Sequence, residues 1–278
     1  MELATGFLAA LVMIFTFGCA ANEPNTKLDD TADFLANPWA VREQSGNQPA
    51  VWQHFKLPGK RSSQFAYVLD EGRPAIKAYA HSSASMLRQS IQVVPSNLDS
   101  LKFSWKLPDL IQYADMSLRE FDDSPVRVVL AFEGDRSKFS AKNAMLSELA
   151  QLVSGEPMPY ATLMYVWCNS CEPEEIITNP HTDRIRKLPL ESGSEKLNRW
   201  IDYERSIRND FVKAFGEEPG LLSSISIMTD TDNTKSTVRA FYGPVQLLPK
   251  SPGVCECSCI EEMYLQATSH YELIMFHA

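Results

Sequence analysis

Short strand-like runs separated by turn residues are the feature that most constrains the fold of this chain. They follow one another from about residue 50 to residue 247, and several of them alternate polar and apolar side chains. In the run 101–106 the apolar positions are Leu101, Phe103 and Trp105. Such alternation is typical of antiparallel strands that turn one face to a core and the other to water.

The predicted elements are mostly strands, with two helices inserted among them. Residues 140–153 and 206–215 predict helices, because their apolar residues recur at helical spacing and a glycine follows each run closely. Many strands with two short inserted helices predict a mainly β fold, a β-sandwich. The predicted strands cover residues 51–56, 63–70, 75–81, 90–94, 101–106, 126–133, 158–167, 185–191, 200–204, 223–228 and 238–247.

The charge balance of the chain excludes one class of partner. The 278 residues include 26 Lys and Arg against 35 Asp and Glu, which gives a net charge of −9. Nucleic acid requires a basic face for its phosphates, so we expect no nucleic-acid partner. Hydrophobic residues make up 44% of the chain, which is enough to bury a large core.

The first residues predict export from the cytoplasm. Residues 1–19 are typical of a signal peptide, because an uncharged apolar run ends at small residues. The junction Gly18-Cys19-Ala20 is similar to a bacterial lipobox, whose cysteine receives a lipid. We therefore expect lipidation of Cys19, anchoring to the membrane, and a location on the periplasmic side of the bacterial cell envelope. The alternatives are plain cleavage, which gives a secreted protein, and an uncleaved single-pass helix.

The remaining segments predict a tether, one domain and a tail. Residues 20–48 are polar and predict a flexible tether, residues 49–249 form the sandwich domain, and residues 250–278 are an appended tail. The six cysteines include a C-x-x-C pair, Cys168 and Cys171, and three in the tail. Disulfides, with Cys168–Cys171 as one option, are preferred to a zinc site because the tail lacks zinc-ribbon spacing.

A polar loop between the runs 223–228 and 238–247 gathers candidate metal ligands. Asp230, Asp232 and Asn233 lie in this loop, and their carboxylate and amide oxygens suit Ca²⁺, which takes six to eight oxygens. The loop lacks the glycine and the distal glutamate of an EF-hand. The alternative is a turn in which these side chains accept backbone hydrogen bonds.

Three residues are candidates for acid–base chemistry. Asp122 and Asp123 precede the strand 126–133, and His181 lies in a predicted loop with Asp183 two residues further on. Arg127 is a candidate partner for one of the two aspartates and a candidate ligand-binding residue. The alternatives are loop capping for the aspartates and an inert surface position for His181. No Gly-x-Ser-x-Gly, His-Glu-x-x-His or phosphate-binding glycine loop accompanies them.

Aromatic residues on the strands are candidates for stacking on sugar rings. We single out Trp105, Trp167 and Tyr242 as ligand-binding candidates, with Tyr165 and Trp200 as further positions. The alternative for each of them is packing in the core, where large aromatic side chains contribute most.

Several short motifs occur in order along residues of about 50–248. They are Ser-Ala-Ser at 83–85, Phe-Ser-Trp at 103–105, Asp-Asp-Ser-Pro-Val-Arg at 122–127, Leu-Met-Tyr-Val-Trp at 163–167, Asn-Pro-His-Thr at 179–182, Arg-Asn-Asp-Phe at 208–211, Met-Thr-Asp-Thr-Asp-Asn-Thr at 228–234 and Tyr-Gly at 242–243. On these motifs the chain resembles a bacterial family of exported proteins known as domain of unknown function 3047. The resemblance implies a galactose-binding-like jelly roll, a fold that often holds a structural calcium, and it implies no particular activity.

The sequence favours a binding role over catalysis. We expect an envelope lipoprotein with a non-catalytic jelly-roll module that binds glycan or another polymer, because no complete set of nucleophile, base and oxyanion donors is present. One alternative is an enzyme acting on glycans, a hydrolase or lyase that uses Asp122, Asp123 or His181. Another is a purely structural envelope protein. Convergence of the acidic residues, Arg127 and His181 in one cleft would favour the enzyme.

Overall fold

The computed structural model describes residues 52–248, so the predictions for Cys19, the tether and the tail lie outside the described residues. This part of the chain is a two-sheet β-sandwich with two helices, which confirms the predicted mainly β jelly roll. Neither of the described helices is long and apolar enough to cross a membrane.

The strands follow the predicted pattern, except that the strand predicted at 90–94 begins six residues earlier and a very short strand is added. They are β1 Gln53–Lys56, β2 Gln64–Asp70, β3 Arg73–His81, β4 Ala84–Val93, β5 Ser100–Lys106, β6 Ser124–Phe132, β7 Ala161–Cys168, β8 Ile177–Thr178, β9 Ile185–Ser192, β10 Ile201–Ser206, β11 Leu222–Asp230, β12 Thr237–Tyr242 and β13 Gln246–Leu248. The predicted strand 238–247 is two strands, because Gly243 and Pro244 interrupt it. A Cβ at Gly243 would lie 2.0 Å from Ser104 Oγ, so only glycine fits where the chain passes β5.

The strands form two sheets. Sheet A has seven strands in the order β1-β4-β11-β6-β7-β9-β8, and its pairs are antiparallel except β7 with β9. Sheet B has six strands, in the order β10-β5-β12-β3-β2 with β13 also paired to β5. Sequence neighbours such as β5 and β6 therefore lie in different sheets, and the centre of sheet A joins segments that are far apart in the chain.

The main core lies between the two sheets. Leu101, Phe103 and Trp105 of β5 are at most 3% exposed, which confirms that the alternating run 101–106 faces inward. Phe103 stacks on Tyr165 of sheet A at 5.4 Å and on Tyr203 of β10 at 5.1 Å between ring centroids. Burying each such side chain stabilises the fold by about 1.5–3 kcal/mol.

A second apolar cluster covers the outer face of sheet A. This outer cluster consists of Ala84, Met116, Val129, Met164, Val166, Cys168 and Met228. Met116 comes from the segment between β5 and β6, and Cys171 and Ile177, which pack against the cluster, follow β7. Sheet A is therefore buried on both faces at its centre, and loops rather than a third layer of strands frame its outer surface.

Both predicted helices are present with their predicted ends. Helix α1, Ala141–Ser154, begins at Ser140, whose side chain accepts a hydrogen bond from the Asn143 backbone N–H at 3.2 Å. It ends at Gly155, whose positive φ of 79° is the left-handed conformation that glycine adopts at helix ends. Helix α2, Ile207–Phe215, ends in the same way at Gly216.

The apolar face of α1 is turned to solvent. Met145, Leu149 and Leu152, which share the predicted apolar face, are 54–83% exposed, whereas Asn143 and Ser147 are the buried residues of the helix. Helical spacing thus identified the element but not the face that packs. The Asn143 amide instead donates to Asp183 at 2.6 Å and holds the helix to the segment before β9.

Candidate functional site

A cleft of about 400 Å³ opens on the outer face of sheet A, beside the outer cluster. Residues from five separate parts of the chain line it, and most of them are charged or carry an amide. They are Leu57, Lys60, Ala84, Arg119, Asp122, Arg127, Asn179, His181, Asp230, Asp232 and Asn233. Asp122, Arg127 and His181, which sequence reasoning singled out, therefore lie together with the residues of the predicted calcium site.

Strand pairing places Asp230 and Arg127 side by side. Met228 of β11 is the direct partner of Arg127 on β6, and the register shifts between Met228 and Asp230 at the end of the pair. Such an irregularity re-aims the side chain that follows it. Asp230 Oδ2 consequently accepts a hydrogen bond from Arg127 Nη2 at 3.1 Å, and Asp230 belongs to the end of β11 rather than to the predicted loop.

Arg127 is the buried centre of an ionic network. Its Nη2 also donates to the carbonyl oxygen of Asp122 at 2.9 Å and to Asp122 Oδ1 at 3.3 Å, which confirms the predicted pairing with one of the two aspartates. Lys187 of β9 donates to Asp122 Oδ1 at 2.5 Å, and Asn179 donates to Asp122 Oδ2 at 3.1 Å. Asp122 is therefore held as a fixed carboxylate between two cations.

Burial changes the pKa of Lys187. Its side chain has no exposed surface, and burial together with the nearby Arg127 charge lowers the pKa of Lys187 to about 8, although Asp122 opposes the shift. Lys187 was not identified from the sequence. The sequence gives one indication that Lys187 is buried, which is its position on the strand. Lys187 comes two residues after Ile185, so both side chains lie on the same face of the strand.

Asp230 and Asp232 are two neighbouring carboxyls in unlike surroundings. Burial raises the pKa of Asp230 well above its usual range, and the negative charges of Asp123 and Asp232 add to this rise, although Arg127 opposes it. Burial also acts to raise the pKa of Asp232, but hydrogen bonds from Lys60 and Asp230 outweigh it and lower that pKa. One carboxyl is thus suited to hold a proton and the other to remain charged.

Asp123 has a structural role. It is 1% exposed, and its carboxylate accepts hydrogen bonds from the backbone N–H of Asn233 at 3.1 Å, from the backbone N–H of Thr234 at 2.7 Å, and from Thr234 Oγ1 at 2.6 Å. These bonds tie the loop after β11 to the segment before β6. This is the loop-capping alternative for Asp123, realised across two distant segments.

The carboxyl cluster is a poor fit for Ca²⁺. One oxygen each of Asp123, Asp230 and Asp232 lies within 4.8 Å of the others. However, Arg127 and Lys60 already contact Asp230 and Asp232, and Asp123 is occupied by the loop, so few oxygens remain for an ion that takes six to eight. The predicted calcium site at Asp230, Asp232 and Asn233 stays a prediction, which requires these cations to move.

His181 lies at the rim of the cleft without the partner suggested by its sequence neighbourhood. Its backbone N–H donates to Asn179 Oδ1 at 2.9 Å, while Asp183 accepts from Asn143 instead. The His181 ring is exposed and has no hydrogen-bond partner among residues 52–248. It is therefore not oriented by a carboxylate, as a histidine base usually is.

The aromatic candidates pack inside the sandwich. Trp105, Trp167 and Tyr242 have no exposed surface, so core packing, the alternative considered for each, describes their position. The Tyr242 hydroxyl donates to the carbonyl oxygen of Met228 at 2.5 Å and thereby joins sheet B to the strand that carries Asp230. Tyr242 therefore supports the floor of the cleft from behind, and none of the three residues lines the cleft.

A disulfide steadies the loops around the cleft. Cys168 and Cys171 form a disulfide, as preferred from the sequence. Between them, the Asn169 side chain donates to the carbonyl oxygens of Ile111 at 2.7 Å and Ala114 at 3.1 Å. The segment after β7 and the segment that leads to Asp122 are therefore fastened to each other.

The fold and the cleft define a β-sandwich protein with a network of buried charges on the outer face of one sheet. The chain belongs to the family described as protein of unknown function (DUF3047), whose model matches residues 50–246. No curated protein matches the chain.

Some solved structures have a similar arrangement at very low sequence identity. The xyloglucanase domain of NopAA, a type three effector from Sinorhizobium fredii, in complex with cellobiose, has a TM-score of 0.39 and 10% identity over 72% of this chain and 93% of that chain. The endo-1,4-beta-glucanase CelB2 has a TM-score of 0.34 and 7% identity over 77% of this chain and 90% of that chain. The family 11 xylanase from Neocallimastix patriciarum has a TM-score of 0.32 and 8% identity over 71% of this chain and 100% of that chain. We draw no functional conclusion from these similarities.

Proposed function

We propose that the protein is an acid–base hydrolase that cleaves glycosidic bonds in the cleft on sheet A. The observation that carries this proposal is the pair Asp230 and Asp232, adjacent carboxyls in one cleft with unlike partners. Arg127 contacts the first and Lys60 the second. Asp122, Arg127 and His181 line this cleft, whereas Asp123 does not, so the convergence that would favour the enzyme alternative is met in part.

The asymmetry of the pair supports assigned roles. Asp230 is the general acid, because burial raises its pKa well above its usual range and so favours the protonated form. Asp232 is the charged partner, because its lowered pKa keeps it ionised beside the developing positive charge of the sugar. A pair of carboxyls in different environments is the arrangement that glycoside hydrolysis uses.

The spacing of the pair supports retention of configuration. Oxygens of the two carboxyls lie within 4.8 Å of each other, well below the roughly 6.5–9.5 Å that leaves room for an attacking water. The two side chains are hydrogen-bonded to each other, so the mechanism requires the substrate to open this bond and enter between them. In the first step Asp232 forms a bond to the anomeric carbon while the bond from that carbon to the glycosidic oxygen breaks. Asp230 gives its proton to this oxygen, and the leaving sugar departs as an alcohol. Water then cleaves that ester, giving its proton to Asp230 and restoring both groups.

The test is the release of reducing ends from a panel of polysaccharides by the purified full chain. We expect Asp230→Asn and Asp232→Asn each to lower the rate about 10²- to 10⁴-fold. Asp202→Asn, on the opposite sheet, is the matched control and keeps the wild-type rate. The proposal is wrong if no glycan yields reducing ends, or if both cleft variants remain as active as the control.

A non-catalytic glycan-binding module with structural Ca²⁺ is the second candidate. In it Asp123, Asp230 and Asp232, whose oxygens lie within 4.8 Å of one another, would bind the ion after Arg127 and Lys60 move away. The two candidates differ in their response to metal. A calcium site would raise the melting temperature of wild type on addition of Ca²⁺, with the rise lost in Asp230→Asn. The hydrolase instead keeps its activity in EDTA.

The disulfide supports a location outside the cytoplasm. Disulfides persist in oxidising compartments, and Cys168 and Cys171 are joined in this protein. We propose that the domain works in the bacterial cell envelope, held to the membrane through Cys19. Labelling with a radioactive fatty acid in wild type, and its absence in Cys19→Ala, would test the anchor.

A further inference from the structure

The hydrogen-bond acceptors of the cleft already have partners, whereas several of its donors do not. Each lining carboxylate already accepts from a basic or amide group: Asp122 from Asn179, Asp230 from Arg127 and Asp232 from Lys60. The donors are used less completely. A neutral sugar both donates and accepts, whereas this cleft offers mainly free N–H groups, which suit a ligand rich in acceptors.

Arg127 provides the buried N–H groups of the cleft that lack a strong hydrogen-bond acceptor. It lines the cleft, its side chain is 4% exposed, and its Nε is buried without a hydrogen-bond partner among the described residues. Its Nη1 has only the sulfur of Met164, at 3.7 Å. A buried N–H without a partner destabilises the fold by about 1–3 kcal/mol, so such groups are characteristic of sites that a ligand completes.

Arg119 and His181 provide the exposed part. Both line the cleft, and neither side chain has a hydrogen-bond or ion-pair partner within the part of the chain that the structure describes. The short helical turn Arg119–Phe121 is held in place, since the carbonyl oxygen of Arg119 accepts from Asn233 Nδ2 at 2.7 Å. A fixed backbone with a free guanidinium is well suited to grip an oxyanion in two-point contact.

The charge of the lining points the same way. Three lining residues are basic, Lys60, Arg119 and Arg127, and three are acidic, Asp122, Asp230 and Asp232. The lining is therefore balanced in formal charge, and the buried Lys187 behind it adds a further basic group. The whole chain has a net charge of −9, so this balance makes the cleft a local exception.

We propose that the cleft binds a glycan unit that carries an oxyanion, a uronate carboxylate or a sulfate ester, through Arg119 and Arg127 with His181 at the rim. The proposal rests on the hydrolase function and names its substrate class. Arg119 and His181 position the anionic substituent, and the scissile bond then lies over Asp230 and Asp232.

The test compares charged polymers with matched neutral ones. Binding to wild type is measured by affinity electrophoresis in gels that contain polygalacturonate, carboxyl-reduced polygalacturonate, dextran sulfate or dextran. We expect at least 10-fold tighter binding to one charged polymer than to its neutral counterpart, and about a 10-fold loss in Arg119→Gln. Arg239→Gln removes an exposed arginine from sheet B and is the matched control, with unchanged binding.

The outcomes separate the substrate class from the hydrolase function. Preference for polygalacturonate identifies the carboxylate, and preference for dextran sulfate identifies the sulfate ester. Equal binding to charged and neutral polymers, no binding to either charged polymer, or equal losses in Arg119→Gln and Arg239→Gln would overturn the substrate class. Cleavage of charged glycans by Arg119→Gln at the wild-type rate leaves the hydrolase intact but overturns the binding of an oxyanion by Arg119. Selective binding without reducing ends supports the anionic ligand and removes the hydrolase.

Discussion

The cleft on sheet A and a groove on sheet B both contain ion pairs, but in very different surroundings. The groove is the larger, at about 570 Å³ against about 400 Å³. In it Arg73 pairs with Asp202 at 2.9 Å and Lys102 with Glu204 at 3.3 Å, all with side chains 46–67% exposed. Each charge there has one partner and remains in water.

The charged side chains of the cleft are more buried than those of the groove, and they share partners. Arg127 is shared between Asp122 and Asp230, all three have side chains at most 10% exposed, and Lys187 has none. Exposed pairs contribute little because water screens them, whereas buried charges act strongly on one another. Cavity size therefore does not identify the candidate site in this molecule. Unequal burial identifies it, because burial separates the pKa values of the neighbouring carboxyls Asp230 and Asp232.

The largest expected effect concerns the two arginines. Arg127→Met removes the partner of two buried aspartates, so we expect it to lower the free energy of unfolding by about 3–5 kcal/mol. Arg73→Met breaks only an exposed pair, with an expected change within about 0.5 kcal/mol. Urea denaturation of both variants measures the contrast. Similar losses in the two variants would show that the cleft network and the groove pairs do not differ energetically.

A smaller effect is expected at the disulfide, which only the cleft side possesses among the described residues. Cys171→Ser opens the loop between residues that are three apart in sequence, so chain entropy predicts a loss of about 2 kcal/mol. Because Asn169 fastens the loop that leads to Asp122, hydrolytic activity should also fall. Urea denaturation and reducing-end release test this pair of effects. Unchanged activity after loss of the disulfide would show that the loop does not help to position the residues of the site.

The smallest effect concerns pH and Asp230. Burial raises its pKa above that of the unfolded chain, so its contribution to stability is complete at low pH and is lost as the pH rises through the folded pKa. Asp230→Asn does not titrate and keeps an acceptor for Arg127. Its melting temperature should match wild type near pH 4 and equal or exceed it at pH 8.

The exposed Asp202 is the control for this pH effect. Asp202→Asn should follow wild type at both pH values, because its carboxylate is 67% exposed. A melting temperature of Asp230→Asn that falls below wild type as the pH rises would contradict the raised pKa. It would also remove the assignment of Asp230 as the general acid.

Much of the fold could be predicted from local patterns. Strand alternation located most strands to within a few residues, and the glycines at 155 and 216 marked both helix ends. Local patterns failed where neighbours outside the segment decide the outcome. The apolar stripe of α1 predicts a packed face, yet Asn143 is the residue that docks, because Asp183 and Thr182 supply its partners.

The candidate site was predicted in parts rather than as a whole. Asp122, Arg127, Asp230 and Asp232 were each singled out, but the sequence assigned them to two different sites. They share one cleft because β6 and β11 are paired neighbours. Lys60 and Lys187 carried almost no signal, since a lysine in a turn or a strand is ordinarily a solvated surface residue.

Local sequence set the alternation of the strands and the caps of the helices, because each depends on residues a few positions apart. Composition set the surplus of acidic residues. The tertiary structure alone decided which charges meet. Pairing between distant strands brought Asp122, Arg127 and Asp230 within hydrogen-bonding distance, and the loops above sheet A removed them from water. The strength of an interaction between charges depends on that removal, which no spacing in the chain encodes.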